Sequence, residues 1–88
     1  MTRYFLHLRD HVEEVLDPDG SEYSDLQALK FGVIAAARDV MIGDLRAGLM
    51  DFRYRIDAEN AAGAIVFTLP FEHAVNIIPR EGPVPALI

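Results

Sequence analysis

Apolar residues recur at the spacing of one helical face through the middle of the chain, and no other feature of the sequence limits the fold as much. The spacing follows the i, i+3, i+4, i+7 rule and predicts a helix over residues 25–47. Ser24 is the expected N-cap residue, and Gly48 is the expected residue at which the helix stops. A single long helix needs another layer against which its apolar stripe can pack. The stripe consists of Leu26, Leu29, Val33, Ala36, Ala37 and Val40.

Segments with the two-residue period of β-strands flank the helical pattern on both sides. Residues 3–9 and 51–57 alternate between apolar and polar side chains, and residues 64–69 are β-branched and aromatic. A weaker strand is predicted over residues 11–17. The sequence Asp-Pro-Asp-Gly at 17–20 is a strong turn signal, since proline presets φ and glycine tolerates a positive φ.

The order of these elements, β-β-α-β-β, predicts an α+β fold. We expect an antiparallel four-stranded sheet with the long helix packed on one face, followed by a short C-terminal helix that begins near Pro70. Residues 1–78 are predicted to form a single domain, and residues 79–88 an extended, proline-rich tail. The predicted core consists of Tyr4, Leu6, Leu8, Leu26, Leu29, Val33, Ala37, Val40, Phe52, Tyr54, Ile56, Ile65, Phe67 and Leu69.

The composition limits the cellular compartment and the binding partners that we expect for this chain. The chain has no cysteine, which excludes disulfides and thiolate metal sites and fits a reducing cytoplasm. No apolar run approaches the roughly 20 residues of a membrane span, so we expect no membrane partner. The net charge of −6 makes the chain a poor generic binder of nucleic acid, because phosphate binding needs a cationic surface.

Basic side chains nevertheless collect on one predicted face of the sheet. If the apolar members of strands 3–9 and 51–57 face the helix, the other members face away from it. Some single-strand binders stack bases on an aromatic ring and hold phosphates with arginines on such a face. The alternative is cross-strand pairing of the arginines with Glu13, Asp57 or Glu59. The predicted face carries Arg3, Phe5, His7, Arg9, Arg53 and Arg55.

The helix carries more apolar side chains than one sheet face can cover. Phe31, Ile34 and Ile42 widen its apolar arc. A second copy of the chain or another protein would bury this excess. The end of the tail, "PVPALI" at 83–88, is a candidate arm for exchange between copies.

No constellation typical of catalysis or metal binding is found. His7 and His11 are four residues apart, which on a strand separates them by roughly 13 Å, so a shared metal is not expected. Capping explains Ser24, and the sequence has no nucleophile elbow, P-loop or dinucleotide fingerprint. We therefore predict no enzymatic activity, no cofactor and no metal.

Several short motifs together resemble a known family. "RYFLHLRD", the acidic turn "DPDG", the helix start "DLQA" and "PFEHAV" are similar to small uncharacterised proteins common in alphaproteobacteria. The chain departs from that pattern in "HVEEV", where relatives often carry glycine, and in the unusually apolar "FGVIAAA". The resemblance implies a domain of unknown function and brings no catalytic residue or ligand. The motifs occupy residues 3–10, 17–20, 25–28 and 70–75, and the resemblance covers about residues 2–77.

These inferences converge on a non-enzymatic, cytoplasmic module that binds another protein or forms a homodimer. The alternative is binding of an anion or of single-stranded nucleic acid through the arginine-rich sheet face. The sequence predicts neither the strand order nor the identity of a partner.

Overall fold

A computed structural model describes residues 1–83 and residue 85, and it has one long helix packed on one face of an antiparallel sheet. The α+β prediction is confirmed. A 3-10 turn at Phe71–His73 takes the place of the predicted short C-terminal helix. The elements are β1 (Thr2–Arg9), β2 (Glu14–Val15), β3 (Ser21–Tyr23), α1 (Leu26–Arg46), β4 (Arg55–Asn60) and β5 (Ile65–Pro70).

β1 is the strand around which the sheet is assembled. The strand order is β2-β1-β4-β5, and β3 also pairs with β1. β4 pairs with β1 over six residues, from Tyr4 opposite Asn60 to Arg9 opposite Arg55. The short strands β2 and β3 pair with opposite ends of β1, along the edge that β4 leaves open. β3 was not predicted, because three residues are too few to show a period.

The helix ends are set by local capping. Asp25 has an extended backbone and accepts a hydrogen bond from the Ala28 N–H at 2.7 Å, so Asp25 is the N-cap residue and the prediction of Ser24 is wrong. At the other end Gly48 has φ +82°, and its N–H donates to the Leu45 carbonyl while the Leu49 N–H donates to the Asp44 carbonyl. This pair of bonds is a Schellman motif, and it confirms the predicted stop at Gly48.

The core lies between α1 and the adjacent face of the sheet. Residues of α1 at four-residue spacing pack against β4, β5 and the 3-10 turn. Three predicted core residues are exposed instead. Leu26 is in the first helical turn, Phe52 precedes β4, and Ile65 lies opposite Glu59 on the other face of the sheet. The buried core consists of Leu29, Val33, Ala37, Met41, Ile56, Ala58, Leu69, Phe71 and Ala74.

β4 is displaced along the chain from its predicted position of 51–57. It begins at Arg55 and continues to Asn60, whose side-chain oxygen accepts the N–H groups of Ala62 and Ala64 and so forms the turn into β5. The alternation keeps its predicted phase, with Ile56 in the core and Asp57 on the opposite face.

The chain leaves the sheet after the 3-10 turn. All described residues from Asn76 to Pro85 are exposed. The predicted extended tail falls partly on Val84 and residues 86–88, which lie outside the described residues. In the described part of the chain, no helix is both long and apolar enough to cross a membrane.

Candidate functional site

The sheet face turned away from α1 brings acidic and basic side chains together. Within the β1–β4 register, Phe5 lies opposite Glu59, His7 opposite Asp57 and Arg9 opposite Arg55. Each strand alternates, so these side chains all emerge on the same face. We call Arg9, Glu14, Arg55, Asp57, Glu59 and Thr68 the charged cluster.

Asp57 is the centre of the charged cluster and is only 1% exposed. Its carboxylate accepts hydrogen bonds from Arg9 Nη1 at 3.0 Å, from Arg55 Nε at 3.2 Å and from the Thr68 hydroxyl at 2.8 Å. Burial by itself raises the pKa of Asp57, but the Arg9 and Thr68 hydrogen bonds and the Arg55 charge outweigh it and hold that pKa below its ordinary value. Asp57 is therefore a buried anion with its hydrogen-bonding positions filled.

Arg9 is surrounded by carboxylates. Beyond Asp57, its Nε donates to Glu14 Oε2 at 2.9 Å and its Nη1 donates to Glu59 Oε2 at 3.0 Å. The hydrogen bonds to Asp57 and Glu14 raise the pKa of Arg9 above its ordinary value. A phosphate approaching Arg9 would meet three negative groups, so this arginine offers little to a polyanion.

His7 and Asp17 occupy the gap that β2 and β3 leave along the outer edge of β1. The His7 ring is buried, accepts the Asp17 N–H at Nδ1 over 3.1 Å and lies nearly parallel to the Phe5 ring. The Asp17 carboxylate accepts the N–H groups of Leu6 at 3.2 Å and Gly20 at 3.0 Å. Burial by itself raises the pKa of Asp17, but the hydrogen bonds from these backbone donors lower it by a larger amount. The pKa of Asp17 is therefore below its ordinary value.

The two remaining arginines of the predicted face lie at its margins. Arg3 donates to the Asp19 carbonyl at 2.8 Å and lies 3.8 Å from Glu22. Arg53 precedes β4 and so lies outside the paired strands that form the face. It donates to both carboxylate oxygens of Asp51 and, mainly through this side-chain pairing, lowers the pKa of Asp51 to about 2.

A polar cleft of about 420 Å³ lies beside the charged cluster, between the β1–β2 loop and β4. Its walls include Arg55, Glu13 and His11. Over residues 1–83 and 85, no buried side-chain nitrogen or oxygen lacks a hydrogen-bond partner, and no three histidine or acidic side chains are placed to hold a metal ion. The cleft therefore has no described buried polar group left over for a ligand.

A second concave surface lies at the C-terminal end of α1 and is of opposite character. This apolar groove has a volume of about 260 Å³. Arg38 Nε donates to the Ala74 carbonyl at 2.7 Å and so holds the chain after the 3-10 turn against the helix. Ile42, Leu45 and Met50 remain 48%, 56% and 48% exposed. The groove is lined by Arg38, Met41, Ile42, Leu45, Met50 and Val75.

The three predicted interface residues are not equivalent. Ile42 lines the groove, whereas Ile34 is half-buried and packs against the core. Phe31 is exposed eleven residues before Ile42, which places it about three helical turns away on the same side of α1. Sequence reasoning assigned none of Leu45, Met50 and Val75 to an interface. For Met50 and Val75 the reason is that the Schellman motif and the 3-10 turn, which bring them to the helix, are not apparent in the apolar pattern.

Comparison with known proteins gives a family and no activity. The model of a family described as "Domain of unknown function (DUF6894)" matches residues 3–72. No curated protein and no solved structure matches the chain. The family match covers most of the chain, from β1 through the first residues of the 3-10 turn. This chain belongs to the DUF6894 family of domains of unknown function.

Proposed function

We propose that this domain is a non-enzymatic protein-interaction module of the cytoplasm that forms a homodimer through the apolar groove. The observation that supports the proposal is the concentration of half-exposed Ile42, Leu45 and Met50 around one groove. The chain is otherwise strongly acidic, with a net charge of −6. Contiguous apolar surface of this kind is typical of a site that binds another protein surface.

The energetics favour covering the groove. Transfer of a fully exposed aliphatic side chain out of water contributes about 1.5–3 kcal/mol, so each half-exposed side chain offers roughly 1 kcal/mol. A two-fold symmetric contact counts each groove residue twice, because both copies contribute the same patch. Among the described residues that line the groove, Arg38 carries the only charge, so the lining itself contributes no carboxylate to a contact between two acidic copies.

The alternative function is binding of an anion or single-stranded nucleic acid through the sheet face. The contacts of the arginines argue against it. Arg9, Arg53 and Arg55 each donate to at least one carboxylate within 3.3 Å. Breaking the Arg9 and Arg55 pairs to bind phosphate would leave the buried Asp57 carboxylate with the Thr68 hydroxyl but without a cationic partner, which is costly.

The experiment that tests the proposal is sedimentation of the full chain over a wide concentration range, with Leu45→Lys and a matched control. Leu45→Lys places a charge in the groove and lowers the net negative charge of the chain, so a loss of association does not come from greater net repulsion between the two acidic copies. Ala35→Lys makes the same charge change at an exposed helical position outside the groove. We expect a dimer for wild type and Ala35→Lys, and at least tenfold weaker association for Leu45→Lys.

A monomeric wild type at every concentration would contradict the proposal. So would a Leu45→Lys variant that associates as tightly as wild type. Titration with short single-stranded nucleic acids tests the alternative, which requires an affinity that falls as salt rises.

A further inference from the structure

The chain after the 3-10 turn leaves the body beside the groove. The Arg38–Ala74 hydrogen bond fixes this exit point, and Val75 itself lines the groove. From Asn76 onwards, no described residue makes a backbone hydrogen bond to the sheet or the helix, and Ile77 and Ile78 are exposed. The described tail is therefore attached at the groove of its own copy but does not pack on the body.

The molecule is elongated, as expected for a chain whose tail does not pack on its body. The principal extents are 56, 27 and 19 Å, and the radius of gyration is 16.0 Å. A compact chain of this length has a radius of gyration of about 12 Å. A tail that extends away from its own body can reach a neighbouring copy, and the nine residue-to-residue steps from Val75 to Val84 span up to roughly 30 Å.

The end of the tail matches the chemistry of the groove. Residues 83–88 read Pro-Val-Pro-Ala-Leu-Ile and contain no charge. Val84, Leu87 and Ile88 are aliphatic, and the prolines reduce the conformational entropy that the segment can lose on binding. Such a segment suits an apolar groove by its composition.

We propose that residues 84–88 of one copy bind in the apolar groove of a second copy, so that the dimer forms by reciprocal exchange of C-terminal arms. This inference rests on the proposed function, since it specifies how the homodimer is held. Each dimer contains two equivalent contacts, the arm of one copy in the groove of its partner and the reverse.

The test combines two variants that damage opposite halves of one contact. Leu45→Lys damages the groove and leaves the arm intact. Val84→Lys together with Leu87→Lys damages the arm and leaves the groove intact. Ile77→Lys together with Ile78→Lys makes the same charge change in the part of the tail outside the proposed contact.

Arm exchange predicts a specific pattern in sedimentation. Each damaged variant alone should associate at least tenfold more weakly than wild type, whereas the Ile77 and Ile78 variant should not. An equimolar mixture of the two damaged variants should form a heterodimer, because the intact arm of one fits the intact groove of the other. With one contact instead of two, this heterodimer should be weaker than the wild-type dimer.

The outcomes separate the two proposals. If the arm variant dimerises as wild type does while Leu45→Lys does not, arm exchange is wrong and the groove dimer stands. If the mixture associates no more than either variant alone, an intact arm does not bind an intact groove of a second copy, and arm exchange is also wrong. A wild-type chain that is monomeric throughout, including one whose arm binds its own groove, overturns both.

Discussion

Asp57 pairs with two of the arginines on the sheet face turned away from α1. This one buried carboxylate accepts from Arg9, Arg55 and Thr68, which lie on three different strands. The sequence predicts that Arg9, Arg55 and Asp57 share a face, because the period of a strand is two. It cannot predict which of them touch, since the register between β1 and β4 depends on long-range pairing.

Replacement of Asp57 tests the structural role of the charged cluster. Asp57→Ala leaves Arg9 and Arg55 without their shared partner, and we expect the free energy of unfolding to fall by about 2–4 kcal/mol. Glu14→Ala removes a partly exposed partner of Arg9 and should cost less than about 1 kcal/mol. Urea unfolding of both variants measures the difference, and equal losses would show that Asp57 has no special role.

Acid should destabilise the domain through its paired carboxylates. The pKa values of Asp57, Asp17 and Asp51 are below their ordinary values in the folded chain, with Asp51 at about 2. The unfolded chain therefore takes up protons first as the pH falls. Their stabilising contribution is fully present at neutral pH and is lost progressively below about pH 5.

Denaturant unfolding at pH 7, 5, 4 and 3 measures this loss. Asp51→Asn should flatten the decline, because one of the responsible carboxylates is gone. Asp39→Asn removes one negative charge from an exposed helical position and serves as the control. A decline of the same size in wild type and Asp51→Asn would contradict the assignment.

The helix and the turns of this domain depend on local sequence, whereas the bounds of the strands depend on pairing with distant parts of the chain. The helical periodicity of α1 and the glycine stop at Gly48 are visible in the sequence, because capping and periodicity are short-range properties. The N-cap was misassigned between Ser24 and Asp25 because both residue types cap well. β4 was misplaced by several residues because alternation extends equally well into unpaired chain on either side.

Two glycines of α1 look alike in the sequence and differ in their surroundings. A Cβ at Gly32 would lie 2.7 Å from Tyr23 Cε1, whereas a Cβ at Gly43 would meet no atom within 4 Å. Gly43→Ala should raise the free energy of unfolding by about 1 kcal/mol through helix propensity. Gly32→Ala should lower it, because the Tyr23 ring that joins β3 to the helix must move.

Thermal unfolding of the two variants measures the signs. The expected result is a higher Tm for Gly43→Ala and a lower Tm for Gly32→Ala. If both variants are stabilised to the same extent, the contact between Tyr23 and the helix does not constrain the fold.

The whole molecule combines a neutralised polar face with an uncovered apolar groove. The family match spans residues 3–72 and therefore ends before Val75 and the tail. The wide apolar arc of the helix predicts an interface somewhere on it, but the groove forms only when the segments around Met50 and Val75 fold back onto the end of α1. A partner surface built from three separate segments is a property of the tertiary structure and cannot be read from one periodic pattern.

The affinity of the dimer should depend on salt concentration, and the net charge sets the sign of that dependence. Two copies with a net charge of −6 repel each other, and an apolar contact between them gains nothing from low ionic strength. Raising the salt from about 0.01 M to about 0.15 M shortens the Debye length from about 30 Å to about 8 Å. The dissociation constant of the dimer should therefore decrease as salt is added.

The most direct measurement is the dissociation constant of the wild-type homodimer, obtained by sedimentation equilibrium at these two salt concentrations. We predict a concentration-dependent dimer that tightens at the higher salt and is weakened at least tenfold by Leu45→Lys. Association through the apolar groove would be contradicted by a chain that stays monomeric at every concentration. It would also be contradicted by a dimer whose dissociation constant rises with salt and is unchanged by Leu45→Lys.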